Sequence, residues 1–288
     1  MKTPLLSLIL AFLLCLGCKK SDNTSPSEKL YQVNFSVSDM AAVTRPYSKS
    51  EAATTDVGDT LKNHASSLGY YVYKADGSFI RHYTQTSDQA DFGTIIDNLK
   101  PGSYTAVLIA YNANHNINAY SYPLSQLAVS SNTHWENTYS KRVDFKIETS
   151  NLDQSVKLDR IGGAIEVTLE DVIPERAAKI VLEVTDDVWI YYPASTTHRY
   201  IVKTKPFVLS AASKGRRNTK YFMNICNTFK PFSLKIKSID ASDVIIAEKT
   251  VNNLMCYQNR VTVLTGTLFP ASMATSGFLV SKASFQIK

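Results

Sequence analysis

Strict alternation of apolar and polar residues constrains this chain more than any other feature. Tyr31, Val33, Phe35 and Val37 are apolar, and the residues between them, Gln32, Asn34 and Ser36, are polar. A period of two sends successive side chains to opposite faces of an extended backbone, so the segment reads as a half-buried strand. Comparable β-branched and aromatic segments occupy 69–74, 79–83, 92–96, 104–111, 143–147, 165–169, 179–184, 189–192, 199–202, 207–209, 221–225, 232–237, 244–246, 260–264 and 278–280. In the second half they recur roughly every 8–12 residues, the spacing of an all-β sandwich. Helical periodicity is weak throughout. Turn chemistry agrees. Asp76-Gly77 is the strongest hairpin signal and predicts a type I′ turn. Pro101-Gly102 predicts a tight turn leading into a long strand.

Residues 1–18 stand apart from this pattern. Lys2 precedes an apolar run from Leu5 to Leu16. That run is too short to span a bilayer as a helix, which needs about 20 residues, and it fits the core of a secretory signal. It ends in Leu16-Gly17-Cys18, followed by Lys19-Lys20-Ser21-Asp22. This junction resembles the bacterial lipobox, with an ordinary secretory signal as the competing reading. The resemblance implies cleavage before Cys18, acylation of that residue, and insertion of its chains in the outer membrane. Two or more acyl chains give lasting attachment where one gives only marginal binding. Residues 1–17 are then the signal peptide, and the Ser-, Asn- and Asp-rich stretch 18–29 is a flexible tether.

About 270 residues remain, enough for one large or two ordinary domains. The alternation breaks around Ser150-Asn-Leu-Asp-Gln154, which reads as a linker. It divides an N-terminal sandwich, 30–150, from a C-terminal sandwich, 155–288. Residues 41–67 carry no pattern and read as a long loop containing Arg45-Pro46, and 112–118 reads as an Asn-rich loop. Gly162-Gly163 suits a bulge or a close crossing of two backbones.

The formal charge is +6 over 288 residues, and the basic residues are scattered apart from Lys214-Gly-Arg216-Arg217. Nothing resembles the basic face with interleaved aromatics that nucleic acid binding requires. The five histidines, His64, His82, His115, His134 and His198, form no pair with metal-ligand spacing. No nucleophile, phosphate-loop or dinucleotide motif is present, so neither catalytic residues, metal ligands nor a cofactor are expected. Asp186-Asp187 and Asp88/Asp91 read as solvated turn carboxylates, in preference to calcium ligands, because no further acidic residues follow at loop spacing. Cys226 and Cys256 remain after the signal is removed. They form an even pair in an oxidising compartment and so a candidate disulfide, with two buried free thiols as the alternative. Trp135, Trp189, Tyr191 and Tyr192 are either core residues or a platform for stacking a glycan.

Several strings together resemble one family. They are the lipobox, Tyr70-Tyr-Val-Tyr-Lys-Ala-Asp-Gly77, Leu99-x-Pro-Gly-x-Tyr104, Leu158-Asp-Arg160-Ile-Gly-Gly, and Asn259-Arg-Val-Thr-Val-Leu-Thr-Gly266-Thr-Leu-Phe269. They are similar to the fimbrillin superfamily of Bacteroidota, particularly its FimB/Mfa-type lipid-anchored anchor and accessory members. The resemblance implies two tandem Greek-key sandwiches of transthyretin-like or Ig-like type, with Tyr104 packing its ring and tying its hydroxyl to backbone at a sheet corner. It implies other fimbrial subunits as partners, engaged through strand edges. In stalk subunits of this family, proteolysis after an Arg removes an N-terminal strand. Here the early Arg45 is followed by Pro46, a poor substrate bond, which favours an uncleaved anchor that keeps its lipid. The C-terminal residues 281–288 read either as a donor strand or as the last strand of their own sheet. A surface glycan-binding lipoprotein is the competing function.

Overall fold

The computed structural model describes residues 29–40, 61–112, 115–118, 123–131, 135–269 and 279–281. The signal segment with Cys18, the Arg45-Pro46 bond and the C-terminal residues 282–288 lie outside them. Within the described residues the chain is all-β. The first half contributes β1 (Tyr31–Met40), β2 (Ser67–Lys74), β3 (Phe79–Thr86), β4 (Thr94–Leu99), β5 (Gly102–Tyr111), β6 (His115–Asn118), β7 (Ala128–Ser131) and β8 (Tyr139–Ile147). The second half contributes β9 (Leu152–Arg160), β10 (Gly163–Leu169), β11 (Ala177–Tyr191), β12 (Arg199–Val208), β13 (Thr219–Ile225), β14 (Phe232–Asp240), β15 (Ile245–Leu254), β16 (Val261–Gly266) and β17 (Leu279–Ser281).

The first sheet has seven strands in the order β3-β2-β5-β8-β9-β1-β4. Every pair is antiparallel except β1 with β9. The inward residues Val33, Phe35, Leu68, Tyr70, Ile95, Leu108 and Leu158 form one core with no exposed surface. Its end strands meet through side chains in place of a ladder. Tyr83 donates its hydroxyl to the Ile96 carbonyl at 2.9 Å, Gln85 Nε2 donates to the Thr94 carbonyl at 2.8 Å, and Arg81 pairs with buried Asp97 at 3.2 Å.

A second sheet runs β13-β10-β16-β17, with β10 and β16 parallel. The third is built on the fifteen-residue β11. β12 pairs along one edge of β11, and the other edge takes β14 first and β7 further along. The second and third sheets enclose a core containing Ile165, Val167, Ile180, Leu182, Met223, Leu234 and Leu264.

Two expectations change here. The linker and the opening of the second sandwich, read at 150–160, fall largely within β9, a strand of the first sheet held in parallel by β1. The Asn-rich stretch includes β6, and the β6–β7 hairpin joins the third sheet. A short strand such as Ala128-Val-Ser-Ser131 carries little pattern of its own, and its state is set by the β11 edge it meets. The hairpin also covers the outer face of β2 and β5. Tyr71, Tyr73, Val107 and Ile109 therefore point into a third core with Leu127, Val129, Trp135 and Val188. Burial on both faces explains why 69–73 and 106–110 run continuously apolar.

Local chemistry follows the sequence in most places. Tyr104 stacks on Phe145 at 5.6 Å, and its hydroxyl donates to the Lys100 carbonyl at 2.8 Å. A Cβ on Gly162 would sit 2.5 Å from the Ile225 carbonyl oxygen, and one on Gly163 would sit 2.4 Å from that of Tyr257. The close crossing is real, and only glycine fits it. The Asp76-Gly77 hairpin forms, but of the two residues only Gly77 has positive φ, at 81°. Lys74 N donates to the Ser78 carbonyl and Gly77 N to the Lys74 carbonyl, the pattern of a type I turn with a bulge. Asp76 Oδ1 accepts from the Ser78 amide at 2.8 Å, which supports this three-residue loop.

Candidate functional site: the N-terminal strand and the sheet junction

β1 sits inside the first sheet. It pairs with β4 from Tyr31↔Leu99 to Ser36↔Thr94 and with β9 from Val33↔Leu152 to Met40↔Leu158. Its alternation supplies the packing. Phe35 meets Phe145 edge-on at 5.3 Å and lies 6.1 Å from Tyr70. Polar contacts flank the ladder: Gln32 N donates to Asn151 Oδ1 at 2.9 Å, and Asn34 Nδ2 donates to Asp153 Oδ1 at 2.5 Å. Removing β1 would open a strand-wide gap between β4 and β9 and expose the core.

Beside this core, Tyr70 donates its hydroxyl to Asp97 at 3.2 Å. Burial first, and then the Asp97 charge, hold that phenol well above its ordinary pKa. The side chains bridging β3 and β4 therefore keep a neutral tyrosine against an ion pair.

The second notable cluster lies where β11 passes from the C-terminal core into the third core. The pairing of β11 with β12 slips between Val184 and Asp187, and the slip turns Asp187 inward. Asp187 is fully buried. Its Oδ1 accepts backbone N–H groups from Val188, Cys226 and Asn227 at 2.8–2.9 Å. Burial pushes its carboxyl pKa up against the opposing pull of Lys203. Burial likewise pushes the Lys203 ammonium down, and its Nζ lies 5.3 Å over the Trp135 ring. Among the described residues, Asp187 Oδ2 and Lys203 Nζ have no hydrogen-bond partner. Trp135 Nε1 donates to the Val188 carbonyl at 2.5 Å, joining the segment before β8 to β11. Asp187, read from sequence as a solvated turn carboxylate, is thus a buried backbone tie. Two adjacent aspartates inside a strand pattern were the available signal. Its neighbour Asp186 is half-exposed and pairs with Lys230 at 3.1 Å.

Cys226 and Cys256, the candidate disulfide, are free buried thiols. They belong to different packed groups, Cys226 to the third core and Cys256 to the C-terminal core. Burial pushes Cys256 up to about 12 and raises Cys226 well above an ordinary thiol. Among the described residues no group of three His, Cys, Asp or Glu could hold a metal ion. The aromatics divide. Trp135 is core, whereas Trp189 is 43% exposed. Tyr191 stacks on His198 at 5.2 Å, and His198 meets the half-exposed Phe229 at 4.1 Å.

The fold and these features define a class: an all-β protein of packed sheets that offers strand edges and surfaces and shows no reactive cluster among its described residues. The profile of the fimbrillin-A associated anchor proteins Mfa1 and Mfa2 matches residues 31–267, and the chain belongs to that family. Solved structures agree on the fold. The fimbrial anchor protein Mfa2 from Porphyromonas gingivalis is 13% identical, with a TM-score of 0.54 over 82% of this chain and 90% of that one. A candidate polysaccharide-binding protein from Bacteroides thetaiotaomicron VPI-5482 is 9% identical, with a TM-score of 0.62 over 90% and 98%. A candidate adhesin from Bacteroides ovatus ATCC 8483 is 14% identical, with a TM-score of 0.55 over 77% and 82%. No curated protein sequence matches the chain.

Proposed function

We propose that the protein is a lipid-anchored fimbrial anchor or accessory subunit of the outer membrane, carried by acyl chains on Cys18 and joined to other fimbrial subunits through strand edges. The observation that carries this reading is the position of β1. A stalk subunit of the resembling family gives up an N-terminal strand by cleavage after an Arg. Here the Arg in question, Arg45, lies five residues beyond β1 and is followed by Pro46. β1 contributes Val33 and Phe35 to a closed core. A chain that keeps β1 keeps Cys18 in covalent continuity with that core, about a dozen residues away, or roughly 40 Å at full extension. Family membership supports the fimbrial partner. A Cys18→Ala variant in the producing cell tests this. The expected result is loss of the protein from the membrane fraction and release of fimbriae to the medium. Fimbriae that stay cell-bound at normal length would overturn it.

A second reading, glycan binding at the surface, is favoured by one observation. Trp189 and Phe229 expose more than two-fifths of their surface, and Phe229 continues a stack with His198 and Tyr191. Exposed aromatic faces suit sugar rings. Affinity electrophoresis in polysaccharide gels with Trp189→Ala and Phe229→Ala decides it: retardation lost in both supports a glycan site, and unretarded wild-type protein excludes it.

A further inference from the structure

The direction of β1 relative to β9 has a mechanical consequence. The two strands run parallel and in register, Val33 opposite Leu152 and Val37 opposite Val156. The proposed tether enters at the amino end of β1. The connection to the second sheet leaves from the opposite end of β9, where Arg160 leads through Ile161 and Gly162 into β10. β9 itself pairs with β8 only at Tyr139↔Arg160 and Ser140↔Asp159, so β1 is its principal partner. A pull between the membrane and the far side of the molecule therefore loads the two strands from opposite ends. Their hydrogen bonds lie across the direction of pull and must fail together. An antiparallel hairpin pulled from its two ends opens one bond at a time. The second ladder of β1, six antiparallel pairs with β4, is also dragged along its length when the amino end is pulled. Phe35 locks the strand against sliding, because a one-residue slip would turn every core side chain of β1 to the wrong face. The contacts from Gln32 to Asn151 and from Asn34 to Asp153 reinforce the end that takes the load first.

We infer that the β1–β9 pair is a shear clamp, which carries tension from the N-terminal tether into the rest of the fold. The inference rests on the reading that Cys18 is the point of attachment. Its test does not, because the test uses the unacylated mature chain, with Cys18 as the first handle for optical tweezers. The second handle is placed on the same strand in two ways: at Ser150→Cys, just before β9, or at Lys157→Cys, toward its far end. Both positions are exposed, and the buried Cys226 and Cys256 do not compete for coupling. Circular dichroism confirms that both variants fold. Pulling through residue 150 loads adjacent ends and unzips the pair, whereas pulling through 157 shears it. The expected result is a several-fold higher rupture force through 157 with the same released length of β1. Equal forces, or a higher force through 150, would overturn the clamp and leave the membrane reading to its own fractionation test.

Discussion

Truncating Phe35 to alanine probes how firmly β1 is held in the first sheet. Phe35 has no exposed surface and packs between Tyr70 and Phe145 at the centre of the first core. The backbone on both sides is fixed by ladders to β4 and β9, so the cavity cannot collapse easily. Phe→Ala changes at such sites cost about 3–5 kcal/mol. If β1 detaches as a unit before the molecule unfolds, that energy appears as easier local opening. At a factor of ten per 1.4 kcal/mol, hydrogen exchange of the β1 amides should accelerate roughly 100- to 4,000-fold. Exchange mass spectrometry on peptides covering 31–40 reads this directly. Leu264→Ala, an equally buried site in the C-terminal core, is the control. Its effect should concentrate in β10, β13 and β16. β1 protection that survives Phe35→Ala, or an equal opening of β1 by Leu264→Ala, would show that β1 does not detach as a unit.

Three further outcomes follow from the geometry. Gly163→Ala forces a methyl against the carbonyls of Tyr257 and Arg260. It should destabilise by about 1–3 kcal/mol, as overpacking does, and a urea midpoint equal to wild type would contradict the close crossing. Cys226 and Cys256 should resist iodoacetamide at pH 7.5 in the folded protein and react fully in urea, because burial raises both thiols; a 2 Da mass gain on reduction would mean they are bonded. For Asp187 the folded pKa lies above the unfolded one, so its contribution is greatest below the unfolded value near 4 and is lost as pH rises through the folded value. The stability of Asp187→Asn relative to wild type should therefore increase from pH 4 upward in urea titrations, and a pH-independent difference would count against that assignment.

Strand positions were legible because alternation is a local property. Tyr31 to Val37, the turn before Tyr104, and the crossing at Gly162-Gly163 each carry their signal within a few residues. What escaped depends on distant partners. Leu152 to Arg160 has good strand chemistry, but nothing in it announces parallel pairing with a strand more than a hundred residues earlier. Residues 179–184 and 189–192 read as two strands and form one, β11, because the slip at Asp187 lets the strand continue across both cores. The short β6 and β7 become strands only at the edge of β11. Asp187 looked solvated because a carboxylate tied by three backbone amides cannot be told from an exposed one until the loop carrying Cys226 and Asn227 is in place. The β1 strand itself is visible in the sequence, although its burial between β4 and β9 is not.

The proposed anchor keeps β1 joined both to an acylated Cys18 and to the fold. Mass spectrometry of the protein recovered from cell-bound fimbriae decides this. The expected N-terminal peptide is acylated and begins at Cys18, with residues 31–40 still joined to the chain through Arg45-Pro46. A mature N-terminus at Pro46, with β1 missing, would contradict it.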